Sequence, residues 1–310
     1  MRRRTVTTAI AAGLIFSMAA CGGGDDDGDN GGGGGDSGGE ATGKVGVILP
    51  DTESSVRWET ADRPLLEAAF KDAGVDYDRL TLGGSAQYYV SFDNVKVGEL
   101  QGQGLAQCLG DKAASIAFLN GSPDDNNATL FSEGAHSVLD DMSNYTKVAE
   151  QAVPKWDNQQ AATIFEQMYT QAGGNIQGVL AANDGLANAT ISVLQRNNVA
   201  GQVPVTGQDA TVEGLQNILA GNQCMTVYKP IAQEANALAE LAISLIKGED
   251  ADTNGESEDP EGNRQVPSIL LDPVSIFRDN VKDVVDDGFV TAADLCTGNF
   301  AAACTELGIK

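Results

Sequence analysis

The stretch SIAFLNGSPDDNNAT, residues 115–129, predicts a strand, a loop and the start of a helix. Its first part, residues 115–120, has the length and the β-branched and aromatic content of a buried strand. Gly121, Ser122 and Pro123 end that strand, and the polar run 124–127 stands where a helix begins. Since one polar side chain is enough to cap a helix, we expect one member of the run to cap and the others to face a ligand.

The same succession of strand and helix recurs on both sides of this stretch. Further strands are predicted at KVGVILP (44–50), YYVSF (88–92), GVLAAN (178–183), VPVTG (203–207), CMTVY (224–228) and SILLD (268–272). Helical patterns between them include PLLEAAFKDAG (64–74), NQQAATIFEQMYTQAGG (158–174) and IAQEANALAELAISLIKG (231–248). This alternation predicts an α/β fold built from doubly wound parallel sheets.

Ligands bind such sheets outside the carboxyl ends of the strands, so the residues that follow each strand are the candidates for a site. They are Arg57, Trp58, Asp78, Arg79, Asp125, Asn127, Asn183, Asp209 and Lys229, with Trp156 just ahead of a helix. A single Asp or Asn in such a place is more often a helix cap, and a single tryptophan is often packing. Their convergence at strand ends favours a site for a small neutral polyol, whose hydroxyls bond to charged groups while its C–H faces pack on indole.

The N-terminus, MRRRTVTTAIAAGLIFSMAAC, is typical of an export signal that ends in a bacterial lipoprotein box. We therefore expect residues 1–21 to be a lipoprotein signal peptide, with Cys21 lipidated and anchored to the outer face of the cell membrane. An ordinary cleaved signal or a plain anchor helix is the alternative. Residues 22–43, almost wholly Gly and Asp, are predicted to be a flexible tether.

About 265 residues remain after the tether, which suits two lobes better than one core. The predicted N-terminal lobe contains residues 44–112 and 228–265, and the C-terminal lobe contains residues 113–227 and 266–310. The formal net charge of -25 argues against nucleic acid as a partner. His136 is the only histidine and no Cys/His cluster has ligand spacing, so we expect no metal and no cofactor.

Four cysteines remain once Cys21 is lipidated, and an even number in an exported chain suggests two disulfides. Cys296 and Cys304 are the nearer pair in sequence, which leaves Cys108 with Cys224 by parity alone. Free buried thiols are the alternative.

Seven motifs, in order, carry a resemblance to a known family. They are RWETADRP (57–64), YDRLTLGG (77–84), YVSFDNVKVGE (89–99), GSPDDNNATLF (121–131), AANDGLANA (181–189), TGQDA (206–210) and MTVYKP (225–230). From residue 44 to about residue 290 the chain resembles the xylose-binding members of the ribose-type solute-binding proteins of ABC sugar importers. The tether and the cysteine-bearing tail look like those of actinobacterial lipoprotein versions. The resemblance implies two lobes of the periplasmic binding protein type I fold, joined by a three-strand hinge. It also implies one enclosed sugar and the same ten contact residues.

The chain departs from that family after the first helix. Two strand–helix units, roughly fifty residues, are absent before the strand that ends in YDR. In a sheet of order 2-1-3-4-5, one missing strand is an edge and the other lies between the first and fourth. The N-terminal sheet must therefore close over a gap or expose apolar helix faces.

The function predicted from these observations is delivery of xylose or a similar monosaccharide to the permease subunits of an ABC importer. The predicted protein is an extracytoplasmic, lipid-anchored monomer without catalytic activity. A sensor that presents its bound state to a receptor is one alternative. A glycoside hydrolase that uses Asp124, Asp125 or Asp209 as acid and base is a less favoured one.

Overall fold

The computed structural model of the protein describes residues 44–47, 58–73, 76–79, 87–259 and 264–310. For residues 44–47, 58–59, 76–79 and 259 it describes the backbone alone. The predicted signal peptide with Cys21, the tether and Arg57 lie outside the described residues.

The described residues form ten strands and ten α-helices. The strands are β1 (Lys44–Val47), β2 (Asp76–Arg79), β3 (Tyr89–Phe92), β4 (Ala114–Asn120), β5 (Tyr145–Ala152), β6 (Gly178–Ala181), β7 (Thr226–Tyr228), β8 (Gly255–Asp259), β9 (Arg264–Leu271) and β10 (Val274–Ile276). The helices are α1 (Arg63–Asp72), α2 (Asn94–Leu109), α3 (Asn126–Leu139), α4 (Asn158–Gln171), α5 (Asp184–Arg196), α6 (Val212–Leu219), α7 (Ile231–Lys247), α8 (Val281–Asp286), α9 (Ala292–Leu295) and α10 (Ala301–Glu306).

Strands β5, β4 and β6 form a parallel sheet in that order, and its central strand shows why the fold has helices on both faces. Successive side chains of a strand point to opposite faces. Accordingly, Ala117 and Leu119 join a core with α4 and α5, whereas Ile116 and Phe118 join a second core with α2 and α3. This arrangement confirms the doubly wound α/β architecture predicted from the alternation of strands and helices.

The sheet continues beyond β6 through isolated parallel bridges. Val205, in the predicted strand 203–207, pairs with Val179 of β6, and Gln208 pairs with Val227 of β7. Strand β10 closes this side by pairing antiparallel with β7. One edge of the sheet, at the carboxyl ends of its strands, therefore carries the segments that follow β5, β4, β6, residue 205 and β7.

The N-terminal strands of the described residues form two separate sheets. Strand β1 pairs directly and in parallel with β2, from Lys44 with Asp76 to Val47 with Arg79. Helix α1 is covered by α7, because Leu66 and Phe70 are buried against that helix. A second sheet of order β3-β9-β8 has β3 and β9 parallel and β8 antiparallel to β9.

Three connections join these N-terminal elements to the larger sheet within the described residues, at Asp93, at residues 229–230 and at residues 272–273. The Asp93 amide donates a hydrogen bond to the carbonyl of Leu271, directly before the third connection, at 2.9 Å. This bond links the first connection to the third. The lobe boundaries predicted after residues 112 and 265 stay predictions. Helix α2 packs on α3, and β9 pairs with β3.

The described residues contain two disulfides, Cys108 with Cys224 and Cys296 with Cys304. The first ties the end of α2 to the residues before β7, and the second closes a small loop near the C-terminus. Within the described ranges, no helix combines the length and the apolar character needed to cross a bilayer.

Candidate functional site

Six of the predicted contact residues have described side chains, and all six follow neighbouring strands of the larger sheet. Asp125 and Asn127 follow β4, Trp156 follows β5, Asn183 follows β6, Asp209 follows the bridge at Val205, and Lys229 follows β7. Because these strands run parallel, their carboxyl ends lie at the same edge of the sheet.

The other four predicted contacts belong to the N-terminal part of the chain. Trp58 begins a short π-helical turn, and Asp78 and Arg79 end β2. Only the backbone of these three residues is described, and Arg57 lies outside the described residues.

The side chain of Asp125 accepts hydrogen bonds from two residues of the protein. It is the N-cap of α3, and its Oδ1 accepts a hydrogen bond from the Asn127 amide at 2.9 Å. Its Oδ2 accepts a hydrogen bond from Nε1 of Trp156 at 3.0 Å. Asp125 is thus the capping member of the polar run, and it also holds the tryptophan in place.

The backbone around Trp156 is held in an unusual conformation. Lys155 and Trp156 both have left-handed φ values, 56° and 53°. The Lys155 amide donates to Oγ of Ser122 at 2.7 Å, which joins this turn to the loop after β4. The indole ring lies so close to Gly121 that a Cβ at that position would overlap it. The glycine therefore allows the aromatic ring to approach the strand end, and the site gains a fixed aromatic surface.

Asn127 is linked to a residue that the sequence analysis missed. Nδ2 of Asn94, in the first turn of α2, donates to Oδ1 of Asn127 at 3.0 Å and to Oγ of Ser91 at 3.3 Å. Asn94 is buried and stands directly after the connection at Asp93. The signal that could have found it is its place in FDN, two residues beyond the end of a predicted strand.

Asp209 and Lys229 form a largely buried ion pair. Nζ of Lys229 lies 3.0 Å from Oδ1 of Asp209, and the two side chains are 9% and 29% exposed. The same ammonium lies 5.5 Å from the ring centroid of Phe131, on α3. Since Phe131 and Asn127 are one helical turn apart on α3, this pair and the group around Trp156 belong to one site.

The turn that carries Asp209 is strained. Asp209 and Ala210 have φ values of 95° and 50°, a conformation that costs about 1–3 kcal/mol for each non-glycine residue. Such residues persist only where their surroundings hold them. The Asp209 amide donates to the Val227 carbonyl at 2.9 Å, and Ala210 is completely buried.

Asn183 caps α5, because its side chain accepts a hydrogen bond from the Leu186 amide at 2.9 Å. The next residue, Asp184, is fully buried, and burial raises its pKa to about 7 against the lowering effect of its hydrogen bonds. The nearby charge of Asp209 also raises this pKa. The sequence analysis did not select Asp184, since an acidic residue in the first turn of a helix is ordinarily exposed and favoured by the helix dipole.

The arrangement combines an indole surface, carboxylate and amide oxygens and one ammonium at a single sheet edge. Such groups bind hydroxyls with strong hydrogen bonds and bind C–H faces by packing. Within the part of the chain that the structure describes, no group of three His, Cys, Asp or Glu residues is placed to hold a metal ion.

Residues 46–250 match the family model described as a periplasmic binding protein domain. The chain is also 38% identical over 219 residues to the D-xylose-binding periplasmic protein of Haemophilus influenzae, a match that covers 69% of this chain and 65% of that protein. It is 39% identical over 225 residues to the D-xylose-binding periplasmic protein of Escherichia coli, which covers 71% of this chain and 66% of that protein. The chain thus spans slightly less than two thirds of these relatives.

One similar solved structure is an ABC transporter solute binding protein from Clostridium phytofermentans with bound β-D-glucose. It superposes with a TM-score of 0.71 at 23% identity, and the match covers 82% of this chain and all of that one. At this identity the likeness concerns the fold, which agrees with the two-lobed α/β architecture predicted from the sequence.

Proposed function

The chain belongs to the periplasmic binding protein domain family, and from this premise we propose that it is an extracytoplasmic sugar-binding protein. In this proposal it binds xylose or a similar monosaccharide and delivers the sugar to the permease subunits of an ABC importer. The names of the two xylose-binding relatives support the choice of a pentose.

The observation that carries this proposal is the contact between Trp156 and Asp125. Their hydrogen bond fixes an indole ring beside a carboxylate at the edge where β4 and β5 end. A pyranose presents both an apolar C–H face and equatorial hydroxyls, so it matches a rigid aromatic surface with acceptors beside it. Asn183, Asp209 and Lys229, at the ends of the next strands, supply further donors and acceptors.

The proposed mechanism is closure of two lobes around the sugar. The C-terminal site binds first, and the N-terminal residues Arg57, Trp58, Asp78 and Arg79 then contact the opposite side of the ring. The three connections near residues 93, 229–230 and 272–273 are the segments that would bend. A permease that binds the closed form better than the open form then distinguishes loaded from empty protein.

The local geometry does not favour a glycoside hydrolase. Both oxygens of Asp125 accept hydrogen bonds from within the protein, and Asp209 is paired with Lys229. Asp124 accepts a hydrogen bond from Ser122. All three carboxyl groups are thus engaged by partners within the protein, whereas a general acid or base must be within hydrogen-bond reach of the substrate. The sensor alternative uses the same binding event and differs only in the partner that receives the closed form.

Membrane attachment through Cys21 and a monomeric state complete the proposal. The export signal and lipoprotein box at residues 1–21 support the anchor. Substituting Cys21→Ala should release the protein into the medium or leave the signal uncleaved. Unchanged membrane association together with a cleaved signal would refute the anchor.

Calorimetric titration with D-xylose tests the function, with L-arabinose, D-glucose and the open-chain xylitol as comparison ligands. A competent protein at a hundredfold excess of sugar over its dissociation constant gains about 2.7 kcal/mol of stability, a shift of a few degrees in melting temperature. We expect a pentose to bind most tightly. The absence of heat and of a melting shift with every sugar tested would overturn the proposal.

A further inference from the structure

The buried carboxylate of Asp184 accepts four hydrogen bonds from three residues. Oδ1 accepts from Nε2 of Gln223 and from Oγ1 of Thr226, both at 2.8 Å. Oδ2 accepts from the amide of Thr211 at 2.8 Å and from its Oγ1 at 3.0 Å. Four donors directed at one carboxyl group match its ionised form, which only accepts hydrogen bonds.

Two of these partners contact the strained turn at Asp209 and Ala210. Thr211 is the next residue in the chain and the N-cap of α6. Oγ1 of Thr226 accepts a hydrogen bond from the Ala210 amide at 3.3 Å, so the same hydroxyl contacts both the turn and Asp184. The amides of residues 210 and 211 are therefore held by Asp184, directly or through one side chain.

The Asp184 carboxylate is closely packed between two glycines. A Cβ added at Gly207 or at Gly214 would overlap its oxygens. Gly207 precedes the turn and Gly214 lies in the first turn of α6, so both flanks of the turn pack against this one side chain. The backbone amide of Asp184 also donates to the Gln208 carbonyl at 2.9 Å.

We propose that Asp184 is a positioning residue for ligand binding, which holds the turn at residues 209–211 so that the Asp209 carboxylate is presented to the sugar beside Lys229. Asp184 has no route to the ligand itself, because it is fully buried and its oxygens are occupied. The proposal rests on the sugar-binding function and adds to it a residue that acts through Asp209.

The first test is the affinity of Asp184→Asn for D-xylose. An amide of the same shape has one acceptor oxygen and two N–H donors, so it cannot serve all four donors. We expect binding at least tenfold weaker than in the wild type. Leu194→Ala is the matched control, because Leu194 is also fully buried in α5 but packs in the apolar core with α4 and makes none of the hydrogen bonds to Asp184. It should lower the melting temperature and leave the affinity within twofold of the wild type.

A double-mutant cycle separates positioning from general loss of structure. If Asp184 acts through Asp209, Asp184→Asn should weaken binding by less than twofold when Asp209→Asn is already present. An equal loss of affinity in both backgrounds would show that Asp184 acts by another route. Affinity of Asp184→Asn within twofold of the wild type would also overturn the proposal.

Hydrogen exchange, measured for individual backbone amides, tests the conformation of the turn in the absence of sugar. In Asp184→Asn the amides of Ala210 and Thr211 should exchange at least tenfold faster relative to the amides of α5, and Leu194→Ala should not change this ratio. If the wild type binds no sugar, the proposed function is wrong. The ratio of the exchange rates still shows in that case whether Asp184 holds the turn. Should Asp184→Asn not fold, Thr226→Val removes only the bridging hydroxyl and should weaken binding and speed exchange in the same direction. Unchanged exchange at both amides in the folded variant refutes the positioning role.

Discussion

Trp156 donates its indole N–H to Oδ2 of Asp125 at 3.0 Å, so the residue that caps α3 also fixes an aromatic side chain 31 positions further along the chain. The helix cap and the proposed binding surface therefore depend on one carboxylate. The same residue contributes to the stability of α3 and to the shape of the site, and a single substitution should affect both.

Asp125→Ala tests this double role. Losing the cap should lower stability by about 0.5–2 kcal/mol. Releasing the indole should weaken xylose binding and shift the tryptophan emission, because Trp156 is one of only two tryptophans. Thr291→Ala removes the cap of α9 and serves as the control, with a loss of stability and unchanged binding. A stability loss without any change in affinity or emission for Asp125→Ala would show that the contact has no part in the site.

The two disulfides should differ in their contribution to stability. Residues 108 and 224 are 116 positions apart, whereas residues 296 and 304 are 8 apart. Restricting a longer loop in the unfolded chain removes more entropy, about 5 kcal/mol for the first pair and about 2.5 kcal/mol for the second in the chain-entropy model. We expect Cys→Ser substitution of both residues 108 and 224 to lower the denaturation midpoint more than the same double substitution at residues 296 and 304 does. Peptide mapping under non-reducing conditions checks the pairing, and alkylation of all four thiols in the native protein would contradict it.

His136 makes the stability dependent on pH. Burial lowers its pKa, but hydrogen bonds to Asp140 and Glu150 outweigh that effect and raise the pKa above 6.5. Its nitrogens lie 3.0 Å from Asp140 Oδ1 and 2.9 Å from Glu150 Oε1. A raised folded-state pKa gives stabilisation that is complete below about pH 6.5 and disappears as pH rises through the folded value. Hydrogen bonds from Lys147 and His136 outweigh burial and lower the pKa of Glu150 to about 2, so this carboxylate stays ionised over that range.

His136→Gln should therefore reduce the melting temperature more at pH 5.5 than at pH 8.5. The pairs are partly exposed, so the difference should be only about 1–2 °C. Thermal unfolding of the wild type and of His136→Gln at pH 5.5 and at pH 8.5 measures this difference in melting temperature. A larger loss at pH 8.5 would mean that the neutral imidazole, stacked on Phe118, makes the main contribution instead.

The positions of the site residues could be predicted because they follow from a rule about strand ends. Asp125, Asp209 and Lys229 each stand just beyond a strand of a parallel sheet, and these strands were recognisable by their apolar runs. Trp156 was selected only from its place just ahead of a helix. Strand β5 was not predicted, because it is a half-exposed edge strand with polar residues and lacks such a run. Strand 203–207 was predicted, and there the chain forms an isolated bridge at Val205 rather than a full strand.

The partners within the site could not be predicted from local patterns. Asp184 bonds to Gln223 and Thr226 across 39 and 42 positions, and nothing in the sequence around Asp184 indicates these contacts. The direct pairing of β1 with β2 is likewise a tertiary outcome. Spacing and composition indicate which elements exist, whereas the pairing of buried polar groups depends on how those elements pack.

The ion pair between Asp209 and Lys229 gives a final prediction that separates stability from binding. Asp209→Ala leaves the ammonium of Lys229, whose side chain is only 9% exposed, without its carboxylate. Breaking a buried pair in this way is strongly destabilising, about 3–5 kcal/mol when both partners are buried and less here because Asp209 is partly exposed. Replacing both residues, Asp209→Ala with Lys229→Met, removes the uncompensated charge and should recover much of the lost stability.

Recovery of stability should not restore binding. A ligand contact made by Asp209 or Lys229 is absent from the double variant, and losing a charge-assisted bond in a closed site costs about 1.5–3 kcal/mol, or a loss of ten- to a hundredfold in affinity. Denaturation and calorimetric titration of the wild type, the single variant and the double variant measure the two quantities separately. If the double variant is stable and binds xylose as the wild type does, the pair is structural and the sugar site lies elsewhere on the sheet edge.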